Sequence, residues 1–453
     1  MPSNPPINPR LLRSYDLRGV VGRDLTEADA HALGLAYAAD LAPGSRIAVG
    51  YDGRLSSPAL EAALVAGLVE AGVTVERVGL GPTGLLYFAV HDRALYGGIM
   101  VTGSHNPPDQ NGFKLLRGTE PVFGDALGRL IETRGRARKG GTEARIDLAD
   151  RYLERLARAG TGMPALRVGW DPGNGAAADL VARLVARLPG NHRIINGTVD
   201  GRFPAHHPDP SEPANLAPLQ QLVRAERLDL GIAFDGDGDR IGVVDGTGAI
   251  VWPDQLLLLL AQDQLGRTPD APVVFDVKSS AVLANGIAAA GGRPIMAPSG
   301  YVLIRAAMLR ERAPLAGETS GHIFYADDWY GTDCALHVAV RLLAALARTP
   351  LADFCASLPR TVVTPDLRLP CPDADKARIL DAVAESLGDA PVDRTDGLRV
   401  ARPGGWWLLR ASGTEPKLTA RIEAMDERAL ARLADDLAAR LRAAGLQVDA
   451  LVR

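Results

Sequence analysis

Lysine is scarce in this 453-residue chain. Of its 50 basic residues only Lys114, Lys139, Lys278, Lys376 and Lys417 are lysines. Arginine serves wherever a general cation suffices, so a lysine retained at a motif, as three of the five are, marks a place suited to a compact ammonium donor, while Lys139 and Lys376 read as chance retention. An excess of positive charge is also missing. The formal charge of −4 argues against binding nucleic acid or anionic lipid through bulk charge, so an anionic ligand needs a local basic focus. Cysteine is limited to Cys334, Cys355 and Cys371, an odd set without CxxC spacing. That excludes a disulfide framework and a structural zinc site, and fits a reducing cytoplasm. The longest wholly apolar run, near Leu256 to Ala261, falls far short of the roughly 20 residues that span a bilayer. Met1 to Pro9 is rich in Pro and Asn and lacks the apolar stretch of a signal peptide. No GxxxxGK[ST] segment exists to cradle a nucleotide. Cytoplasmic location, no membrane or nucleic-acid role and no obligate protein partner are the resulting expectations.

What is present is a globular composition, 47% hydrophobic and 23% charged, on a chain long enough for about three or four domains. A strand, an Asp-containing turn and a helix recur three times, at Ile47 to Leu68, Val168 to Leu188 and Val273 to Gly292, with the strand ending in Asp52, Asp171 or Asp276. Such alternation implies α/β units on largely parallel sheets, and Ser56-Ser57-Pro58 is a start signal for the first helix. The wide spacing of the Asp markers suits three successive domains of similar build. From about Thr361 the pattern changes to helices at Asp375 to Leu387 and Asp426 to Ala444 around strands at Trp406 to Arg410 and Leu418 to Glu423, an α+β domain. The expected boundaries are 1–146, 147–249, 250–361 and 362–453.

Four short segments carry chemistry. Thr102-Gly103-Ser104-His105-Asn106-Pro107 follows the apolar run Gly98 to Val101, so Ser104 belongs on a tight loop at the carboxyl end of a strand, where α/β sheets place ligands. Asp235-Gly236-Asp237-Gly238-Asp239-Arg240 follows the strand pattern Asp229 to Phe234. Carboxylates at alternate positions, with glycines freeing the backbone to curl, can converge on one hard cation such as Mg²⁺. An EF-hand reading fails, because its sixth position would be Arg240 and its twelfth Gly246. Gly317-Glu318-Thr319-Ser320-Gly321-His322 offers a carboxylate and a hydroxyl able to grip vicinal sugar hydroxyls. Arg410-Ala411-Ser412-Gly413-Thr414-Glu415-Pro416 supplies a guanidinium, hydroxyls and backbone N–H groups suited to a phosphate. Gly79-Leu80-Gly81-Pro82-Thr83-Gly84 satisfies GxGxxG, but the acidic residue a dinucleotide fold needs about 20 positions later is replaced by the Ser104 loop. That match reads as accidental.

In this order the four segments resemble the α-D-phosphohexomutase superfamily, most closely its bacterial phosphomannomutase/phosphoglucomutase branch. The resemblance covers nearly the whole chain, including Tyr15-Asp16-Leu17-Arg18-Gly19, Asn111-Gly112-Phe113-Lys114 and Asp276-Val277-Lys278. It implies three similar α/β domains with mixed, largely parallel sheets and a C-terminal α+β domain around a central cleft. It further implies a phosphoserine at Ser104, with Asp235, Asp237 and Asp239 holding Mg²⁺ together with a phosphoserine oxygen. Glu318 and Ser320 would read sugar hydroxyls, and Arg410, Ser412, Gly413 and Thr414 would bind the phosphate that is not reacting. Tyr15, Arg18, His105, Lys114, Arg240, Lys278 and His322 would line the cleft.

Phosphoryl transfer spreads charge over three equatorial oxygens and calls for positioned cations. Arg18, Lys114, Arg240 and Lys278 are the natural ones. His105, Lys114 or His322 could assist proton transfer, and the sequence does not choose among them. The implied reaction moves a phosphoryl group between the 1- and 6-positions of a hexose phosphate, mannose or glucose, through a hexose 1,6-bisphosphate that also serves as activator. Two segments depart from the branch: Ser299-Gly300-Tyr301 has Tyr where His is common, and Ser412-Gly413-Thr414 has Gly where Asn is common. The second feature resembles phosphoglucosamine mutases and makes that activity the alternative. A non-catalytic sugar-phosphate sensor and a metal-dependent phosphatase are the readings from other classes.

Overall fold

The three Asp-marked segments fold alike. Arg46–Tyr51, Leu166–Asp171 and Pro272–Asp276 are strands, followed by the helices Ser57–Glu70, Ala178–Val185 and Ala281–Ala289. The computed structural model, which describes residues 6–388, 391–412, 416–449 and 451, arranges four sheets in succession along the chain. In the first three, each Asp-marked strand pairs in parallel with a second strand: Gly97–Val101, Leu230–Phe234 or Leu315–Gly317. Both members are short apolar runs buried on two faces, as expected for strands covered by helices. Each second strand then turns back into an antiparallel neighbour: Gln110–Arg117, Ile241–Asp245 or Ile323–Tyr325. The sheets are therefore mixed. The serine, triple-aspartate and Glu318 segments occupy the same reversal in three equivalent sheets.

The expected start of the first helix is correct in position and different in mechanism. Pro58 lies in its first turn, yet the Ser56 side chain makes no capping bond. Its Oγ accepts from Asn111 Nδ2 at 2.9 Å instead, tying the helix entrance to the strand that carries Lys114.

The fourth sheet is antiparallel, with Lys417–Ala424 and Gly405–Ala411 at its centre. Side chains of Lys417–Ala424 alternate between half-buried and buried over most of its length, the pattern of a sheet with one covered face. Asp373–Glu385 and Glu427–Ala443 are its helices, and Asp426 caps the second by accepting from Ala429 N at 2.7 Å. One continuous apolar core runs through parts of the first three sheets and their helices, whereas the fourth has its own. Val277, Trp406 and Leu408 form the small apolar contact between the fourth unit and the third.

Candidate active site

Ser104 is buried and has φ +47°, in the left-handed region that non-glycine residues seldom occupy. A fully buried guanidinium from the neighbouring strand end holds it there. Arg54 Nη2 donates to the carbonyls of Ser104 and Asn106 at 2.7 and 2.6 Å, and Nη1 to those of Gln110 (2.9 Å) and Pro107. Residue 103 must be glycine, because a Cβ there would lie 2.1 Å from Arg54 Nε. Asp52 completes the support, accepting from Gly103 N and Arg54 Nε at 2.9 and 3.1 Å. The Asp marker of the third sheet acts similarly: Asp276 Oδ2 accepts from Thr319 Oγ1 at 2.9 Å in the Glu318 segment. Asp171 instead engages Gly173 N, Asn196 and His206.

Across from this loop, Ser104 Oγ donates to Asp235 Oδ2 at 2.7 Å. Asp235 Oδ1 accepts from the backbone N–H groups of Asp239 and Arg240 at 3.0 and 3.1 Å, so the segment curls around its own first carboxylate. Gly236 permits the approach, since a Cβ on it would meet the Ser104 carbonyl oxygen at 2.3 Å. Asp235, Asp237 and Asp239 are fully buried and can bring one oxygen each within 4.8 Å of the others. Asp237 Oδ1 takes no hydrogen bond, and Asp239 Oδ1 has only an ionic contact to His322 Nε2 at 3.3 Å. Burial and the charges of Asp239 and Asp237 push the Asp235 carboxyl well up. Three crowded carboxylates with unsatisfied buried oxygens match the donor set of a hard divalent ion.

Cations ring this cluster. Lys114 Nζ bonds Asp237 Oδ2 at 2.9 Å and Asp239 Oδ2, and sits 5.7 Å above the Tyr301 ring. Arg18 donates to the Thr102 carbonyl at 2.8 Å and to Asp16. Arg240 is drawn to the Glu318 segment by a backbone bridge to His322, and its Nε is buried without a partner. An unpaired guanidinium N–H in a desolvated place is a waiting donor for an oxyanion.

His322 bridges two carboxylates, with Nδ1 at 3.0 Å from Glu318 Oε1 and Nε2 facing Asp239. Burial works against its charge and Arg240 does too, but Asp239 and Glu318 outweigh them and lift its pKa to about 10. Glu318 is held down to about 2: burial raises it, and His322 and Ser320 more than offset that. Ser320 Oγ donates to Glu318 Oε1, and Gly300 N donates to Oε2 at 3.0 Å. Tyr301 stacks on His322, while Tyr15 donates to the Ser299 carbonyl at 3.2 Å.

The remaining sequence-selected residues lie outside this cluster's contacts. His105 faces Asp209 at 2.9 Å rather than the carboxylate triplet, and Arg240, with burial, lowers its pKa to about 4. Lys278 pairs with Asp366 of the fourth unit at 3.0 Å. Arg410 pairs with Asp396 at 2.8 Å, and Asp396 also accepts from Ser299 N at 3.1 Å, joining the fourth unit to the third. Ser412 N donates to the Lys417 carbonyl; Gly413 and Thr414 lie outside the described residues. Arg54, Asp209 and Asp396 were not singled out by sequence, and Asp52 was marked only as a repeat. The GxGxxG segment has a structural use of its own: Thr83 donates from Oγ1 to Asp237 Oδ2 and from N to the Asp237 carbonyl, at 2.8 and 2.9 Å.

A buried serine on a carboxylate cluster, encircled by cations, defines a site for anionic, phosphoryl-bearing chemistry. The chain belongs to the phosphoglucomutase/phosphomannomutase family. Models of that family's alpha/beta/alpha domains I, II and III match residues 9–138, 150–248 and 252–362, and the model of its C-terminal domain matches 367–440. The chain is 40% identical over 438 residues to a phosphomannomutase/phosphoglucomutase of Pseudomonas aeruginosa, covering 95% of each. It is 39% identical to a phosphoglucomutase of Neisseria gonorrhoeae, covering 93% of this chain and 95% of that one. A crystal structure of a phosphoglucomutase/phosphomannomutase family protein from Burkholderia thailandensis superposes with a TM-score of 0.90 at 38% identity, covering 98% and 99% of the two chains. Among the described residues no helix is long and apolar enough to cross a membrane.

Proposed function

We propose that the chain interconverts the 1- and 6-phosphates of a hexose, mannose or glucose, using Ser104 as the phosphoryl carrier. The observation that carries this reading is the Ser104 Oγ bond to Asp235 at 2.7 Å inside a buried triplet faced by Lys114, Arg18 and Arg240. A sugar hydroxyl oxygen bonds to the phosphorus of phosphoserine 104 as the P–Oγ bond breaks, and the hydroxyl proton is balanced by the one that returns to Oγ. The product is a hexose 1,6-bisphosphate, and after it turns end for end its other phosphate returns to Ser104.

Asp235, Asp237, Asp239 and a phosphoserine oxygen would hold Mg²⁺, which when bound offsets charge on the transferring group. Lys114 and Arg18 supply further positive charge, and Arg240 offers its unpaired Nε–H to a phosphate oxygen. Glu318, Ser320 and Tyr301 would orient the sugar ring. Tyr15, Gly300, Lys278, Arg410, Ser412, Gly413 and Thr414 would receive the distal phosphate and close the cleft. Lys114 and His322 face the triplet, which favours them over His105 for handling the sugar proton.

The test is conversion of mannose, glucose and glucosamine 1-phosphates by one preparation with Mg²⁺ and a trace of hexose 1,6-bisphosphate. Mannose or glucose turnover that is lost in Ser104→Ala is the expected result. Preference for the glucosamine ester makes the chain a phosphoglucosamine mutase, steady release of inorganic phosphate makes it a phosphatase, and binding without turnover makes it a sensor.

A further inference from the structure

Outside the carboxylate triplet a second group of metal-ligating side chains lies where the serine loop meets the second sheet's loops. His105, His207 and Asp209 can place one ligand atom each within 4.8 Å of one another. We propose that these three residues bind a borderline transition-metal ion such as Zn²⁺, and that the filled site draws the serine loop off the position Arg54 gives it and stops turnover.

The geometry is built rather than incidental. His105 Nδ1 lies 2.9 Å from Asp209 Oδ2, close to the spacing of about 3.3 Å between two ligands on a tetrahedral ion with bonds of about 2.0 Å. Asp209 is buried, and its other oxygen accepts from Ser211 N and Oγ at 3.0 and 2.6 Å. That contact orients Oδ2 as a ligand in the way supporting hydrogen bonds orient metal-binding carboxylates. His207 and Asp209 flank Pro208, and Asp209 N donates to the His207 carbonyl at 2.8 Å, a tight three-residue turn that limits how the two side chains diverge. His207 is exposed and His105 partly so, so an ion can enter from solvent and keep a position for water. Two imidazoles and a carboxylate favour Zn²⁺, Co²⁺ or Ni²⁺ over Mg²⁺, the reverse of the all-oxygen triplet.

The two sites therefore select different metals. His105 directly follows Ser104, so an ion that takes it together with His207 and Asp209 replaces the His105–Asp209 hydrogen bond and draws the serine loop toward the second sheet. Inhibition by Zn²⁺ then persists at saturating Mg²⁺. This inhibitory half rests on the proposed function, whereas binding of the ion does not.

The experiment titrates Co²⁺ into the full chain at saturating Mg²⁺, following its visible ligand-field absorption and equilibrium dialysis, for the wild type and His207→Ala. The expected result is one Co²⁺ per chain at micromolar or tighter affinity, displaced by Zn²⁺ and weakened at least tenfold in His207→Ala. Equal Co²⁺ affinity in the two proteins, or no wild-type binding below millimolar Co²⁺, overturns the site. In parallel, His207→Ala keeps its Mg²⁺-supported turnover and needs at least tenfold more Zn²⁺ for half inhibition; an unchanged requirement overturns the inhibitory half. Should the chain prove to have no mutase activity, the dialysis still decides whether the metal site exists.

Discussion

Arg54 grips the Ser104 loop from beneath, donating to the Ser104 carbonyl at 2.7 Å from a side chain with no exposed surface. Ser104, the proposed phosphoryl carrier, is thus placed by a residue 50 positions earlier, which leaves Oγ free to face Asp235. Lysine keeps the charge but cannot serve four carbonyls and Asp52 at once, because its ammonium lacks the planar fork. Arg54→Lys is expected to lower kcat at least tenfold with little change in KM, and to lower the melting temperature. Wild-type kcat in a folded Arg54→Lys protein would show that the loop holds its own shape.

Lys114 pairs with two of the three aspartates, although its single charge balances only one of them. Removing one partner of a buried ion pair costs on the order of 3–5 kcal/mol. Lys114→Met is therefore expected to melt well below the wild type in chelator and to recover more than the wild type on adding Mg²⁺, since ligand at 100 times its Kd stabilises by about 2.7 kcal/mol. Melting curves of both proteins with and without Mg²⁺ test this, and equal Mg²⁺ increments would separate Lys114 from the metal site.

Glu423 joins the fourth unit to the third. Its carboxylate accepts from Ser280 Oγ, from Ala281 N at 3.0 Å and from Trp406 Nε1 at 2.6 Å, at the positive end of the helix Ala281–Ala289. Glu423→Gln turns one acceptor into a donor facing donors, a cost of about 1–3 kcal/mol. Limited proteolysis is expected to release the fourth unit sooner, with KM rising more than kcat falls. An unaltered cleavage rate would assign the contact no role in docking.

His91 stacks on Tyr330 with ring centres 4.3 Å apart, and its Nε2 is buried without a partner. Burial, helped by Arg305, lowers its pKa to about 4. The unfolded chain takes up this proton near pH 6.5, so between those values it binds more protons than the folded one. Stability is lost as pH falls through that window. His91→Phe keeps an aromatic ring and removes the titration, so its melting temperature should gain on the wild type from pH 7 to pH 4.5. A constant difference across that range would exclude His91 as the source.

The strand–Asp–helix recurrence and the four polar segments were legible in the sequence because they are local. Each polar segment is a few residues placed after a short apolar run, and neighbours in the chain decide both strand and turn. The family resemblance followed from the same residues. The role of Arg54 was not legible, since an arginine two residues beyond a strand-ending aspartate reads as surface until the loop at 102–109 is folded over it. Asp209 and Asp396 carried no motif, and the GxGxxG turn looked accidental because Thr83 meets Asp237 only across 154 positions.

By itself the sequence determined the mixed α/β and α+β architecture and which loops hold carboxylates, hydroxyls and cations. Tertiary structure alone decided that Ser104 lies against Asp235, that His322 bridges Glu318 and Asp239, and that His105 turns away to Asp209. The His322–Glu318 pair is local, but the Ser104–Asp235, His105–Asp209 and His322–Asp239 contacts join residues 131, 104 and 83 positions apart. They exist only because the first three sheets share a core that sets their loops face to face, a condition no local propensity encodes.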